Sequence, residues 1–216
     1  MKTALFTAGL PRFTESFYKL QDQILGSDNY DLYFAFWRTS IFPSEEECYK
    51  KIKKFITNTK FKIKKIILIE EPKIEISKYT NMYKKTKIPN VMLMWYGLEK
   101  VFEIIDNSYD CYIRFRLDGK LDRPIDLKSI DLFQNICTPF KPTYGYNLQK
   151  INDQFAIGNY DNMKHYCNLY SNFDLYYDHG IPLHPETYLS YHLAKKNGFS
   201  FINFKHLLKQ DKDLEV

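Results

Sequence analysis

The sequence lacks the short motifs that mark several large enzyme classes. It contains no GxGxxG fingerprint, which disfavours a dinucleotide-binding oxidoreductase, and no Walker A sequence, which removes a P-loop nucleotide-binding protein. It also contains no GxSxG elbow, which removes a standard serine hydrolase. Any chemistry that the chain carries therefore depends on a less familiar arrangement of side chains.

Cysteine is scarce and widely spaced. The four cysteines form no CxxC pair and have no histidine at zinc-ligand spacing; they are Cys48, Cys111, Cys137 and Cys167. We therefore expect reduced thiols in a cytoplasmic protein, because disulfides belong to oxidising compartments.

Long apolar runs are also missing. No run approaches the roughly 20 residues that a membrane-spanning helix needs, so we expect no transmembrane segment. Residues 1–9 are interrupted too soon for a signal peptide and are predicted as a strand. The 216 residues show no repeat, low-complexity tract or linker, which predicts a single domain over residues 1–216.

The formal net charge of +5 would by itself suggest a nucleic-acid partner. However, the lysine-rich segment 50–65 lacks the glycine-rich or aromatic-platform signature of a nucleic-acid module. Joint richness in Lys, Asn, Ile, Tyr and Phe is typical of an AT-rich genome. We therefore interpret the lysines as a solvated face and expect no nucleic-acid partner, keeping a basic RNA-binding protein as the least favoured alternative.

Strand and helix patterns alternate along the chain. Apolar runs at residues 2–7, 30–37 and 64–69 predict buried strands. Helices are predicted from about residue 14, from a capping Ser44 to about residue 56, and over 92–105, and a fourth strand over 109–117. Later helices are predicted at 160–170 and 185–194, with a short strand within 131–139. This order predicts an α/β domain whose mostly parallel central sheet is flanked by helices.

The segment 109–119 carries the first candidate site. Its apolar residues alternate with Arg114 and Arg116, and it ends at Asp118 followed by Gly119. Residues two apart in a strand share a face, so the three charged side chains are expected to converge. Guanidinium groups match phosphate oxygens, and Asp118 suits a divalent metal or a sugar hydroxyl. The alternative is a salt-bridge ladder on an edge strand.

The loop after the first strand adds to this candidate site. Gly9 lets a ligand approach the backbone closely, and Arg12 is placed to reach a phosphate from the same loop. The loop is too short for a dinucleotide fingerprint, so its contribution would be limited to these two residues.

Two further segments offer polar side chains. Asp153 in the segment 152–158 is a candidate general base, although an Asx turn explains the same residues about as well. Before the last helix, His184 is a candidate metal ligand and Glu186 a second acid, although proline followed by glutamate is ordinary helix-start chemistry.

Five segments in this order carry a resemblance: 8–12, the strand ending at Trp37, 112–118, 152–158 and 184–186. Together they resemble the GT-A glycosyltransferases of surface-polysaccharide clusters and large viruses, including the WavE-like lipopolysaccharide group. The resemblance implies a GT-A-like domain with a nucleotide-sugar-binding half over residues 1–120 and an acceptor-binding half over 121–216. It would place the protein in the host cytoplasm if the source is viral.

The resemblance also implies roles for individual residues. In that fold a DxD-type motif binds Mn²⁺ or Mg²⁺ at the donor diphosphate, and here it falls on Asp118, with Arg116 where a second aspartate is usual. Arg114 and Arg116 would then neutralise part of the diphosphate charge. Asp153 and Gln154 resemble a segment that touches the sugar or the acceptor.

The implied reaction transfers a sugar from a nucleotide-sugar donor to a hydroxyl of a glycan acceptor. If the anomeric configuration inverts, Asp153 is the first choice for the base and Glu186 the second; if it is retained, no such base is needed. The alternative is a catalytically inactive nucleotide-sugar-binding module of the same fold, which the missing second aspartate favours.

Overall fold

The computed structural model describes residues 1–11, 15–57, 59–80, 87–132, 136–139, 151–196, 199–202 and 206–208. The helices in these ranges are α1 (Glu15–Gln23), α2 (Glu45–Ile56), α3 (Ile88–Glu103), α4 (Tyr160–Cys167), α5 (Phe173–Asp178) and α6 (Pro185–Ala194). The strands are β1 (Lys2–Gly9), β2 (Ile24–Leu25), β3 (Asn29–Trp37), β4 (Phe61–Ile69), β5 (Cys111–Arg114), β6 (Gly119–Leu121), β7 (Ile125–Asp126), β8 (Ile136–Pro139), β9 (Ala156–Gly158), β10 (Phe199–Ile202) and β11 (His206–Leu208).

The central sheet of the described residues has seven strands in the order β10-β8-β9-β5-β1-β3-β4. Neighbouring pairs are parallel except those that involve β9, which runs against both β5 and β8. Six strands therefore point the same way. The predicted α/β fold with a mostly parallel central sheet is confirmed.

Helices cover both faces of this sheet. On one face, α1 and α2 bury apolar side chains such as Phe17 and Ile52 against the strands. On the other face, α3, α4, α5 and α6 share a second core that includes Trp95, Tyr166 and Leu189. Burial on both faces explains why the strands read as continuous apolar runs rather than as alternating ones.

The chain reverses direction across the sheet between β1 and β5. From β1 the chain adds β3 and then β4 on one side, and it returns to place β5 on the other side of β1. In open α/β sheets such a reversal leaves a crevice at the carboxyl ends of the two strands, where ligands bind. The topology therefore points to the ends of β1 and β5 as the first place to look for a site.

Several predicted helix boundaries are confirmed. The side chain of Ser44 accepts a hydrogen bond of 3.3 Å from the backbone N–H of Glu47, and α2 follows directly. Helix α6 has Pro185 in its first turn, as its sequence indicates. Helix α3 begins at Ile88, four residues earlier than predicted, because Pro89 is well tolerated at a helix start.

The predicted strand over residues 109–117 is wrong in its extent. Strand β5 ends at Arg114, and the chain then turns, with the N–H of Gly119 donating to the carbonyl of Arg116 at 3.1 Å. The alternating pattern continues beyond the strand because Phe115 and Leu117 still enter the core on the α1 and α2 side. A turn that buries alternate residues has the same sequence pattern as a strand.

The structure also bears on the cysteines and on membrane-spanning helices. All four cysteines are buried and free. Within the described ranges, none of the helices combines the length and the apolar character that crossing a membrane requires.

Candidate functional site at the carboxyl ends of β1 and β5

A cleft of about 550 Å³ opens at the carboxyl ends of β1, β3 and β5, against the N-terminal half of α3. This is the place where the reversal in strand order predicts a ligand crevice. Its size is within the range of sites that bind small molecules and cofactors. The cleft therefore agrees with the topology in marking this edge of the sheet as the candidate functional site.

Gly9 forms the lip of the cleft at the end of β1. Its φ angle is +125°, a conformation that residues with a side chain rarely adopt, and a Cβ atom there would meet no atom within 4 Å. The space beside the backbone of Gly9 is thus open. The prediction that this glycine lies at the site is consistent with its position on the cleft wall.

Helix α3 lies unusually close to β1 beneath the cleft. A Cβ atom at Gly97 would be 3.0 Å from the Cβ of Ala8, which leaves no room for a side chain. This close approach brings Asn90 and Met94, one to two turns earlier in α3, onto the cleft wall. Lys87, which precedes the helix, also lines the cleft, so a lysine and the partial positive charge of a helix N-terminus lie on the same side.

Arg114 is the last residue of β5 and lines the cleft, although only 4% of it is exposed. Its Nε and Nη1 atoms are buried and have no hydrogen-bond partner in the described part of the chain. Burial lowers the pKa of this guanidinium, while Tyr166 and Asp153 favour its charged form. A buried cation with unpaired donors is costly, so its position at a cleft calls for an anion.

Arg116 and Asp118 form a bidentate ion pair at the cleft. Arg116 Nε donates to Asp118 Oδ1 at 2.8 Å, and Arg116 Nη2 donates to Oδ2 at 2.7 Å. Burial opposes the charge of Arg116, but the hydrogen bonds and charge of Asp118 outweigh that effect and raise the pKa of the guanidinium. One third of the Arg116 side chain is exposed against one tenth of Asp118, so the arginine is the member of the pair that faces solvent.

Basic side chains outnumber acidic ones on the described cleft wall. Arg38, Lys87, Arg114 and Arg116 are basic, whereas Glu71 and Asp118 are acidic. Arg38 is half exposed and pairs with Glu70, so its charge is screened by solvent. The excess of positive charge is therefore concentrated at the end of β5, beside Arg114.

Asp153 is not among the residues that line the cleft. It is buried in the loop before β9, where its backbone carbonyl accepts a hydrogen bond of 3.2 Å from the hydroxyl of Tyr166. Asn152 forms the Asx turn that the sequence offered as an alternative, because its Oδ1 accepts from the N–H of Gln154 at 2.8 Å. The charge of Asp153 nevertheless acts on both Arg114 and Arg116.

The turn before α6 reaches the cleft through Pro185. His184 precedes the helix in an extended conformation without capping it, and Glu186 is buried in the first turn. The structure thus brings this turn near the predicted donor site, but neither His184 nor Glu186 is part of the cleft wall. Their predicted roles stay predictions.

Two other sequence-based expectations concern Arg12 and a metal ion. Arg12 lies outside the described residues. Among the residues that the structure describes, no three His, Cys, Asp or Glu side chains are grouped so that they could hold a metal ion. Both oxygens of Asp118 are engaged by Arg116, and a guanidinium in that position repels a cation. The side chains present therefore do not fit the implied Mn²⁺ or Mg²⁺.

Sequence reasoning missed Trp37, Lys87, Asn90 and Met94 on the cleft wall. Trp37 ends β3, and the carboxyl ends of parallel strands meet at one edge, so a signal for it was present in the strand pattern. The α3 residues carried no comparable signal, because their position depends on the close contact between Gly97 and Ala8.

Comparison with known protein families and with curated proteins finds no match to this chain. The chemistry available in the cleft therefore follows from its own side chains.

Proposed function

We propose that this protein is a glycosyltransferase whose cleft binds the diphosphate of a nucleotide-sugar donor. The observation that carries the proposal is Arg114, a buried cation with unpaired donors at a cleft that lies on the topological reversal of an α/β sheet. The sequence resemblance to GT-A glycosyltransferases supports the same ligand class. A diphosphate is suited to this place because its oxygens carry negative charge and can accept hydrogen bonds from the unpaired donors of Arg114.

In the proposed reaction, the oxygen of an acceptor hydroxyl attacks the anomeric carbon of the donor sugar. The bond between that carbon and the diphosphate oxygen breaks, and the leaving nucleoside diphosphate takes the electron pair. Negative charge grows on the diphosphate as the bond breaks, so Arg114 and Arg116 stabilise the transition state more than the ground state.

The proton of the acceptor hydroxyl needs a base if the reaction inverts the anomeric carbon. The sequence resemblance makes Asp153 the first choice, and Glu186 in the first turn of α6 is the second. If the reaction retains the configuration, the leaving diphosphate itself accepts the proton and neither residue is required.

A thermal-shift panel tests whether the site binds nucleotides. We expect one or more nucleoside diphosphates among UDP, GDP, ADP and CDP to raise the melting temperature, because a ligand that binds only the folded protein stabilises it by mass action. Inorganic phosphate at the same concentration is the control. A melting temperature that no nucleotide moves and that RNA raises would overturn the proposal.

A catalytically inactive module that binds nucleotide-sugars is the second candidate. It is favoured by the absence of Asp153 from the cleft wall and by the engagement of both Asp118 oxygens. The release of nucleoside diphosphate from a bound donor, measured over time, separates the two. Release that is lost in Asp153→Asn while binding is kept supports the transferase, whereas binding without any release supports the inactive module.

A further inference from the structure

We propose that the cleft binds a diphosphate without a divalent cation, with Arg114 supplying the positive charge and Asp118 acting as a positioning residue for Arg116. This inference rests on the proposed function, since it assumes that a nucleotide-linked diphosphate is the ligand. The new element is how the charge of that ligand is neutralised.

Arg114 leaves several hydrogen-bond donors unused within the described ranges. A guanidinium carries one N–H on Nε and two on Nη1, and both of these nitrogens are buried without a described partner. In the described part of the chain Arg114 forms no ion pair with a carboxylate, although the charge of Asp153 acts on it. The described residues thus leave this positive charge at the cleft without a paired carboxylate.

Asp118 is the only acid of its segment on the cleft wall. A metal-binding carboxylate offers an oxygen lone pair to the cation, but here Oδ1 and Oδ2 each accept a hydrogen bond from Arg116. Displacing Arg116 to admit a cation would break a charge-assisted bidentate pair in a site that is largely closed to solvent. Asp118 is therefore better placed to orient Arg116 than to hold a metal.

The charge of the ligand and the charge of the cleft side chains also bear on whether a metal is needed. A sugar-linked diphosphate carries one negative charge on each of its two phosphates, which in a metal-dependent site a divalent cation would balance. On the described cleft wall the basic side chains already exceed the acidic ones by two. Adding a divalent cation beside Arg114 and Arg116 would place like charges together in a partly buried site, which is unfavourable.

Calorimetric titration with and without metal tests the inference. The probes are UDP, GDP and inorganic pyrophosphate, each titrated into the full chain in EDTA and again in Mn²⁺. We expect the nucleoside diphosphate that binds to have the same Kd in both conditions to within about twofold. A metal-bridged ligand would instead lose at least tenfold in affinity when EDTA removes the metal. Binding that requires Mn²⁺ overturns the inference and leaves the proposed function standing.

The other outcomes separate the two claims. Metal-independent binding of pyrophosphate with no preference for any nucleoside diphosphate supports the arginine site but removes the nucleotide-sugar donor. Absence of binding by all three probes in both conditions contradicts the inference and the proposed function together.

Asp118→Asn distinguishes a positioning role from a metal-binding role. The amide keeps the shape of the side chain but loses its charge, so Arg116 is held less firmly and affinity should fall by about three- to tenfold, equally in EDTA and in Mn²⁺. A decrease confined to the Mn²⁺ titration would assign Asp118 to a cation and overturn the inference. Arg123→Gln, which removes an exposed arginine that does not line the cleft, is the matched control and should change affinity by less than twofold.

Discussion

Two buried polar groups at opposite ends of the central sheet differ in how their hydrogen bonds are satisfied. Near the amino ends of the strands, the hydroxyl of Tyr109 donates to Asp31 at 2.9 Å and lies 2.7 Å from the hydroxyl of Tyr33, while Lys64 pairs with Asp31 at 3.5 Å. At the carboxyl ends, Arg114 is equally buried but two of its nitrogens have no described partner. The first arrangement is complete within the described residues, whereas we propose that a ligand completes the second.

This contrast indicates how to distinguish a structural polar cluster from a binding site. Buried polar groups in folded proteins are almost always hydrogen-bonded, so the exceptions need an explanation. The network of Asp31, Tyr33 and Tyr109 obeys the rule and stabilises the fold. Arg114 breaks the rule at the one edge of the sheet where topology predicts a ligand, which is why it carries the functional proposal.

The largest effect is expected from Arg114→Met, which replaces the buried cation with an apolar side chain of similar length. Nucleoside diphosphate binding should weaken by about 3 kcal/mol, roughly a hundredfold, because truncating one partner of a buried charged contact costs about 2–5 kcal/mol. The free energy of unfolding should rise by about 1 kcal/mol, because a buried cation without close partners is removed. Calorimetry and urea denaturation measure the two quantities.

A loss of stability in Arg114→Met would contradict the contrast between the two ends of the sheet. It would mean that Arg114 is satisfied within the fold, as Asp31 is, and that the cleft has no unneutralised charge. Unchanged nucleotide binding in this variant would contradict the proposed role of the residue directly.

Asp31→Ala should have the opposite profile. It leaves the Tyr109 hydroxyl and Lys64 without their acceptor, and an unsatisfied buried group costs about 1–3 kcal/mol, so the free energy of unfolding should fall by about 2 kcal/mol. Nucleotide binding should be unchanged, because the cluster lies away from the cleft. Lys54→Ala, which changes an exposed lysine of α2, serves as the control and should alter neither quantity.

A histidine pair between α4 and α6 is a third buried polar cluster, and protonation at low pH would disrupt its hydrogen bonds. The Nε2 atoms of His165 and His192 each donate to the other residue's backbone carbonyl, at 3.0 and 2.6 Å, and the rings stack at 4.1 Å. Since both Nε2 atoms carry the proton, the neutral Nδ1 of His192 accepts from the hydroxyl of Tyr176 at 2.5 Å. Burial lowers the pKa of His192 to about 4, and that of His165 in the same direction.

Stability should therefore decrease in acid. Between the unfolded pKa of 6.5 and the folded value of about 4, the unfolded chain binds more protons at His192 than the folded chain does. The free energy of unfolding should fall by about 2 kcal/mol from pH 7 to pH 5, after which the contribution is exhausted near pH 4. Urea denaturation of His192→Gln should show a flatter pH dependence, and His179→Gln, which changes an exposed histidine, should keep the original slope.

The smallest effect is expected from Gly97→Ala beneath the cleft. The new Cβ would be 3.0 Å from the Cβ of Ala8, so the strain of overpacking should exceed the gain in helix propensity and leave a net loss of about 1 kcal/mol. The double variant Gly97→Ala with Ala8→Gly removes that contact. A loss in the double variant that is smaller than the sum of the two single losses confirms the steric cause, and an additive loss contradicts it.

The strand and helix pattern was predictable wherever local chemistry decides it. Ser44 and Pro185 marked the starts of α2 and α6 through capping and proline geometry, and strands β1, β3 and β4 were apparent from their apolar runs. Strand β9 was not predictable as an antiparallel member of the sheet, because it has three residues and its pairing partners lie far away in the chain.

Only part of the candidate site was predictable in its residues. Alternation along 112–118 was enough to group Arg114, Arg116 and Asp118, which line the cleft, whereas Asp153, His184 and Glu186 do not line it. Nothing local indicates that Arg116 and Asp118 pair with each other while two Arg114 nitrogens have no described partner, because that depends on where β5 ends and on how deeply its last residue is covered.

The most direct test of the account is a crystal structure of the full chain with the nucleoside diphosphate that shifts its melting temperature. We expect diphosphate oxygens within hydrogen-bond distance of Arg114 at the carboxyl ends of β1 and β5, beside Gly9, with Asp118 still paired to Arg116. A diphosphate bound elsewhere on the protein, or in the cleft with Arg114 making no contact to it, would contradict the central claim.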